Sequence, residues 1–501
     1  MGAFSVPEEI RKMKPKGTMV KKIGNEKYYV YDYKTSKVKV AEEDGSFRWK
    51  TKTIMGKCIG TITLENGFVS NKSNLASAQI TVKNYGNYAF VVEKAKKVFR
   101  LLKKHFNIAD AEQIFCVATI LFLDGFTYMK NMKRVFDLSY LSAIFPDVKL
   151  GYKALYTLYR NLGSKQESVR KFEQENIDGS SKRIAIDGHV IACASSRNDL
   201  SEFGYKASKL GMPQVNWITA YDVIQKRPLL GQIYSGSDPD SISVQTLFDR
   251  YQFSNTQFLV DRGFNTDTVK KRMSERGNTY IAPMLSNRKD YKHVVESLHF
   301  DKRRYFVYNR KRHASMVYHQ EIRQGSIRYL AYKDTTVASM ERQEYIRTMN
   351  AGKPGYTNDG LIKEELFFGL FLLETNNLEL MPEEIYCQYK ERWAIETYYN
   401  YVRNDLEFNA IFQQDYFCMQ GLSFLMTVSS LIHNEIRSAT EHAKISVKDI
   451  LNEIKKIKMV QDGKTWNIRN NTRGVRDLCK KLDFEIPSHV DASARKVLFT
   501  T

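Results

Sequence analysis

Apolar positions change their period twice along this chain. In Val91–His105, Ala109–Lys130 and Gly151–Glu175 they recur at three- and four-residue spacing, the pattern of amphipathic helices. From Lys182 the period shortens. Arg183–Ala194 (RIAIDGHVIACA), Val215–Ile224 and Pro228–Ser235 are short runs rich in aliphatic and β-branched residues, and they predict strands. Asp240 opens a helical stretch to about Tyr251, and Gln257–Val260 is a short buried-strand run that delivers Asp261. Asn265 is placed to cap a helix that closes at Gly277, and Thr279–Pro283 predicts a further strand. Three early strands followed by alternating helix and strand predict a mixed sheet covered by helices, an α/β fold. Arg304–Asn309, Ser315–Ile322 and Ile327–Lys333 then break the alternation with β-like segments. Leu366–Glu374 resumes it, leading into the helical pattern of Tyr389–Arg403 (YKERWAIETYYNYVR).

The two ends read differently. Near the start, Lys27–Tyr33 (KYYVYDY) and Cys58–Phe68 are β-prone, with turn signals at Pro15-Lys16-Gly17 and Glu43-Asp44-Gly45. The tail from about Ile436 reads as helical. These patterns divide the 501 residues into a β-rich module (1–95), a helical region (96–180) and a first part of the α/β core (181–285). A β-rich basic insertion (286–355), the rest of the core (356–435) and a basic helical tail (436–501) follow.

Charge narrows the partners. Lys+Arg 77 against Asp+Glu 56 gives a net charge of +21, which points to a polyanion, nucleic acid before acidic membrane. The excess is concentrated. Fourteen Lys/Arg face seven Asp/Glu between Met1 and Lys57, and eleven face four in Lys444–Lys481. Aromatics among these lysines suit a nucleic-acid surface or a small sheet with guarded edges. The longest apolar runs, Ile114–Leu123 and Leu366–Leu373, fall short of the roughly 20 residues of a spanning helix. Met1–Lys16 lacks an apolar signal core, and the six cysteines form no CxxC pair, so a reduced, cytoplasmic protein is expected.

Candidate chemistry lies in the helix Tyr389–Arg403. At about 100° per residue, Tyr389, Arg392, Glu396 and Arg403 fall within an arc of roughly 60°. By itself this face also fits a surface ion pair between Arg392 and Glu396. Trp393 reads as a core anchor. Two upstream acids sharpen the picture. Asp187 sits within a strand run, although Asp-Gly between apolar runs is also a hairpin signal. Asp261 ends the run FLV, where ligand sites of α/β sheets gather, although a helix-capping Asp is common there. Asp187, Asp261 and Glu396 together would repel one another unless a cation joined them. Oxygen ligands select Mg²⁺ or Mn²⁺, and two such ions bracketing a phosphate support phosphoryl transfer on a nucleic-acid backbone.

The helix motif resembles a known signature. Tyr, two residues, Arg, three residues, Glu, six residues and a basic residue is similar to the Tyr-Arg-Glu-Lys helix of the DDE transposases of bacterial insertion sequences, with Arg403 where that family usually has Lys. FLVDRGF resembles the family's second-Asp motif, IAIDGH its first-Asp strand, and PKGTMVKKIGNEKYYVY with MGKCIGTITLENGF the N-terminal module of one branch. The resemblance implies a ribonuclease H-like core interrupted by the insertion, and cut-and-paste transposition at terminal inverted repeats. It implies Asp187, Asp261 and Glu396 as catalytic, metal-binding acids, with Mg²⁺ or Mn²⁺. Tyr389, Arg392 and Arg403 would hold phosphates of double-stranded DNA, both transposon ends and target, in a homodimeric complex in the bacterial cytoplasm. An inactive DNA-binding remnant and a metal-dependent nuclease unconnected with mobility are the alternatives.

Overall fold

A computed structural model describes residues 6–23, 27–42, 47–71, 81–193, 195, 198, 200–203, 212–310, 313–462 and 465–490. The turn expected at Glu43-Asp44-Gly45 and the basic pair Lys311-Arg312 lie outside the described residues. The chain forms two compact units, Met1–Val82 with Val460–Lys464, and Lys83–Met459 with Thr465–Thr501.

The first unit is a four-stranded antiparallel sheet of β1 (Thr18–Lys22), β2 (Tyr28–Ala41), β3 (Phe47–Thr63) and β4 (Gly67–Ser70), in that order. Gly17 supplies the positive φ (74°) of the turn before β1, a backbone state that costs glycine little. A small core of Ile10, Tyr28, Val30 and Ile62 holds the sheet.

The short strand β5 (Val82–Asn84) follows in the chain, and the second unit is built on a ten-stranded mixed sheet. Its strands are β6 (Arg183–Cys193), β7 (Gln214–Asp222), β8 (Arg227–Ser235), β9 (Gln257–Val260), β10 (Thr279–Pro283), β11 (Tyr305–Arg310), β12 (His313–Gln324), β13 (Ile327–Asp334) and β14 (Leu370–Thr375), with the short Ala410–Ile411 beside β6. Their spatial order is β11-β12-β13-β14-β10-β9-β6-β7-β8. β6, β9 and β10 run parallel to one another, and the other pairs along this order are antiparallel. The strands expected of an insertion thus extend the core sheet, joined through β14. The segment 286–355 also carries two helices, Lys289–Glu296 and Thr335–Asn350, the second capped by Asp334.

Alternate residues of the strands enter two cores, as period-two geometry requires. Ile184, Ile186, Phe258 and Val260 face the helices Asp240–Arg250 and Asp267–Met273. Ala185, Val215, Trp217 and Leu259 face a larger core that includes the helical block before residue 180 and the helix Tyr416–Thr440. β7 is buried at all nine positions, a strand covered on both faces. Gly421 lies so near the helix Tyr152–Ser164 that a Cβ would stand 2.0 Å from the Tyr159 carbonyl oxygen, and Gly163 meets Phe417 as closely. The helix Tyr152–Ser164 of that block is therefore in close backbone contact with the helix Tyr416–Thr440. Among the described residues no helix is long and apolar enough to cross a membrane.

Two local expectations differ. Thr266, not Asn265, caps the helix Asp267–Met273, because Asn265 is buried and donates to the Pro283 carbonyl at 2.7 Å. The tail is not all helix: strands Lys458–Asp462 and Thr465–Arg469 separate its helices, and His489–Val490 follows the last described one.

Candidate active site

Asp187 lies within β6, paired with Thr219 of β7, and the strand runs on to Cys193. The Asp-Gly pair is thus not a hairpin turn; pairing with Thr219 and Ile218 of β7 holds it extended. On its other side β6 pairs in parallel with β9, and the last pair is Ile186 with Val260. The next residues in this register are Asp187 and Asp261. Parallel register puts aligned side chains on the same face, here the face of Ala185 and Leu259. β9 ends at this point. Asp261 turns into a short 3₁₀ segment, Arg262–Phe264, and accepts a 2.8 Å hydrogen bond from the Arg262 amide.

The helix that carries Arg392 and Glu396 covers that face. It runs as Pro382–Glu391 and Trp393–Asn404, and between them the Arg392 amide donates to the Tyr389 carbonyl (3.1 Å) and the Ile395 amide to the Arg392 carbonyl (3.0 Å). These i,i+3 bonds tighten the helix at Arg392. Ile395, Tyr398, Tyr399 and Val402 are buried toward the core. The Tyr399 hydroxyl donates to the Asp187 carbonyl at 2.8 Å, and His189 stacks on the Tyr399 ring at 4.7 Å. Arg183 pairs with Glu391 at 2.7 Å. Helix and first-acid strand are thereby fixed to each other at two levels.

Arg392 is the hinge of the charge arrangement. One guanidinium nitrogen, Nη1, lies 3.7 Å from Asp187 Oδ2 and 3.5 Å from Glu396 Oε1, so those two oxygens are within about 7 Å of each other. Burial pushes the Asp187 carboxyl up to about 7; Arg392 opposes this, and the charges of Glu396 and Asp261 add to it. Burial works against the Arg392 cation, but Tyr389, Asp261, Asp187 and Glu396 hold its pKa above the ordinary value. Burial raises the Tyr389 phenol far above its usual range, and its ring packs 5.2 Å from Phe371.

Asp187, Asp261, Arg392, Glu396 and Tyr389 are therefore gathered at one place. A cavity of about 840 Å³ opens there, lined by Asp261, Arg262, Tyr308, Phe371, Tyr389, Arg392 and Trp393. Tyr308 of β11 and Phe371 of β14 carried no signal in the sequence, while Arg262 was visible only as the neighbour of Asp261. Trp393 is 69 % exposed and is not a core anchor; the buried side of its helix is taken by Ile395, Tyr399 and Val402. Arg403 is exposed and hydrogen-bonded to the Asn400 side chain. Seven residues past Glu396, it stands about 10 Å farther along the axis.

The donor set is of the kind that holds a hard cation: carboxylate oxygens only, with no soft ligand among them. In this conformation the Arg392 guanidinium stands between two of the acids. Among the described residues no three His, Cys, Asp or Glu side chains close round one point as a metal cluster.

Residues 178–411 match the family model of the transposase DDE domain, a span that contains all three acids. Among solved structures the chain is similar to the piggyBac transposase in a cryo-EM synaptic complex with hairpin DNA. The identity is 11 %, over 76 % of this chain and 82 % of that one, with a TM-score of 0.38. No curated protein matches.

Proposed function

We propose that this protein is a DNA transposase that excises an insertion sequence at its terminal inverted repeats and joins it to target DNA, working as a homodimer in the bacterial cytoplasm. The observation that carries the reading is the register of β6 with β9. It aligns Asp187 with Asp261 on the face covered by the helix of Arg392 and Glu396, within the span that matches the transposase DDE domain. The strand order β8-β7-β6-β9-β10, three antiparallel strands followed by two parallel ones, supports a ribonuclease H-like core extended by β11–β13.

Asp187, Asp261 and Glu396 would hold Mg²⁺ or Mn²⁺. Bound there, such ions activate a water or 3′-hydroxyl and stabilise the leaving oxygen of a phosphodiester. Arg392, held between two acids, is placed to turn its guanidinium to a DNA phosphate. Tyr389 keeps its phenolic proton and can donate it in a hydrogen bond to a phosphate oxygen. Arg403 offers a further cation on the exposed part of the same helix.

The test is Asp261→Asn. Asp261 is exposed, so the change leaves the fold and DNA affinity near normal, because affinity comes from lysines and arginines. Plasmid excision and cleavage of end DNA with Mg²⁺ are expected to be abolished. A variant that still cleaves would refute the triad, and a wild-type protein that cleaves without joining ends to new DNA would be a nuclease.

A further inference from the structure

The first unit carries a feature that its own core does not explain. β2 and β3 are rooted at Tyr28, Val30 and Ile62. β1 pairs only with Tyr28–Asp32 and β4 only with Gly60–Thr63. Beyond those residues the two strands have no other strand beside them among the described residues, yet they continue through nine cross-strand pairs, from Tyr33–Met55 to Ala41–Phe47. Every described residue of 32–42 and 47–57 is exposed. Register shifts between Val30 and Tyr33 separate root from ribbon, and Gly56 leaves room there for Asp32, whose Oδ1 would lie 2.1 Å from a Cβ.

A two-stranded ribbon without a core is marginal by itself. Its composition says what completes it. Residues paired across the strands share a face. One face carries Lys34, Arg48, Lys50 and Lys52, of which Arg48 is 3.7 Å from Glu42. The other carries Thr35, Thr51 and Thr53, with Lys37 opposite Thr51 and with Phe47 (63 % exposed) and Trp49 (60 % exposed) nearer the tip, where Lys39 lies over both rings. Lysines along free strand edges also discourage pairing with another sheet.

We propose that the paired strands Lys34–Ala41 and Phe47–Ile54 form a DNA-reading arm that lies in the major groove of a duplex. This rests on the reading of the chain as a DNA-handling protein. Strands about 4.8 Å apart, with side chains, suit a groove about 12 Å wide. Nine residues at about 3.3 Å reach about 30 Å, close to one helical turn. The threonine face can approach the base edges, Phe47 and Trp49 meet thymine methyls, and the long stems of Lys34, Lys50 and Lys52 reach phosphates on the groove walls. The narrow major groove of double-stranded RNA excludes the arm.

The experiment uses the full chain, a Lys34→Gln/Lys50→Gln/Lys52→Gln variant, and a shortened chain in which Asn-Gly replaces residues 34–54 and joins Tyr33 to Met55 by a two-residue turn. Probes are a fluorescent mixed-sequence DNA duplex several turns long and the same sequence as duplex RNA, with affinity read at several salt concentrations and mass by light scattering. The triple variant is expected to keep its melting temperature and to flatten the log-log salt slope by roughly 2.7, three lost phosphate contacts. The shortened chain should lose at least as much, the RNA duplex should bind weakly and indifferently to both changes, and methyl green in the major groove should displace the protein. Unchanged slopes in both variants of a protein that binds DNA would overturn the arm alone. So would displacement by netropsin but not methyl green, or a fall in mass with unchanged DNA affinity, which would make the ribbon a contact between two copies. Failure of the wild-type chain to bind any duplex would overturn the proposed function as well.

Discussion

Glu173 gives the sharpest quantitative prediction. It lies on the helix Gln166–Asp178 and is fully buried where that helix meets β8 and the end of the helix Asp240–Arg250. Its Oε2 accepts from the Tyr251 hydroxyl and, at 3.4 Å, from Gln232 Nε2. Arg250 donates to Gln232 Oε1 at 2.8 Å. Burial outweighs these bonds and pushes the carboxyl up to about 8 from an ordinary 4.5. The folded chain therefore keeps this proton up to about pH 8, whereas the unfolded chain releases it near 4.5. Unfolding loses a proton between those values, so the stabilisation is full below pH 4.5 and is lost as pH rises through 8. At about 1.36 kcal/mol per pH unit the window spans roughly 5 kcal/mol. Glu173→Gln keeps the shape and removes the titration. Urea unfolding followed by the fluorescence of Trp217, buried in the adjoining core, should give a wild-type stability that falls more steeply than the variant's from pH 5 to 8. Parallel pH curves would show that Glu173 is ionised in the fold and would refute the argument.

Three further outcomes are expected. Arg392→Ala should cut end cleavage ten- to hundredfold, from a lost charge-assisted contact of about 1.5–3 kcal/mol. Because the guanidinium no longer stands between Asp187 and Glu396, Mg²⁺ should raise the variant's melting temperature more than the wild type's, and equal shifts would count against this. Gly421→Ala should destabilise the second unit by about 1–3 kcal/mol or more, read by thermal unfolding, since the new methyl meets the Tyr159 carbonyl. Arg403→Ala should leave stability within about 0.5 kcal/mol but flatten the salt dependence of end-DNA binding by about 0.9, with Arg403→Lys close to wild type.

Several features of this protein were decided locally and were legible in the chain. The change from helical spacing to short aliphatic runs located β6, β7 and β8 to within a few residues, because a strand covered on both faces is apolar along most of its length. The short apolar run before Asp261 showed where β9 would end. The signature spacing put Arg392 beside Glu396, since i,i+4 neighbours meet on any helix. Pairing and covering were decided elsewhere. That Asp187 stands level with Asp261 depends on the register of two strands separated by 74 positions in the chain, and no residue in either run encodes its partner. Arg392 touches Asp187 only because Tyr399 and Glu391 fix the helix on the strand. Trp393 is exposed because its neighbours on the same helix take the core side, which the periodicity of the helix leaves ambiguous until the sheet is beneath it. The strands β11–β13 carry the same alternation whether they form a separate sheet or extend the first, and the edge offered by β14 makes them part of the wall beside the acids. Period and spacing describe one element's own faces; which surface each face meets is set by non-local packing, and the site exists only at that level.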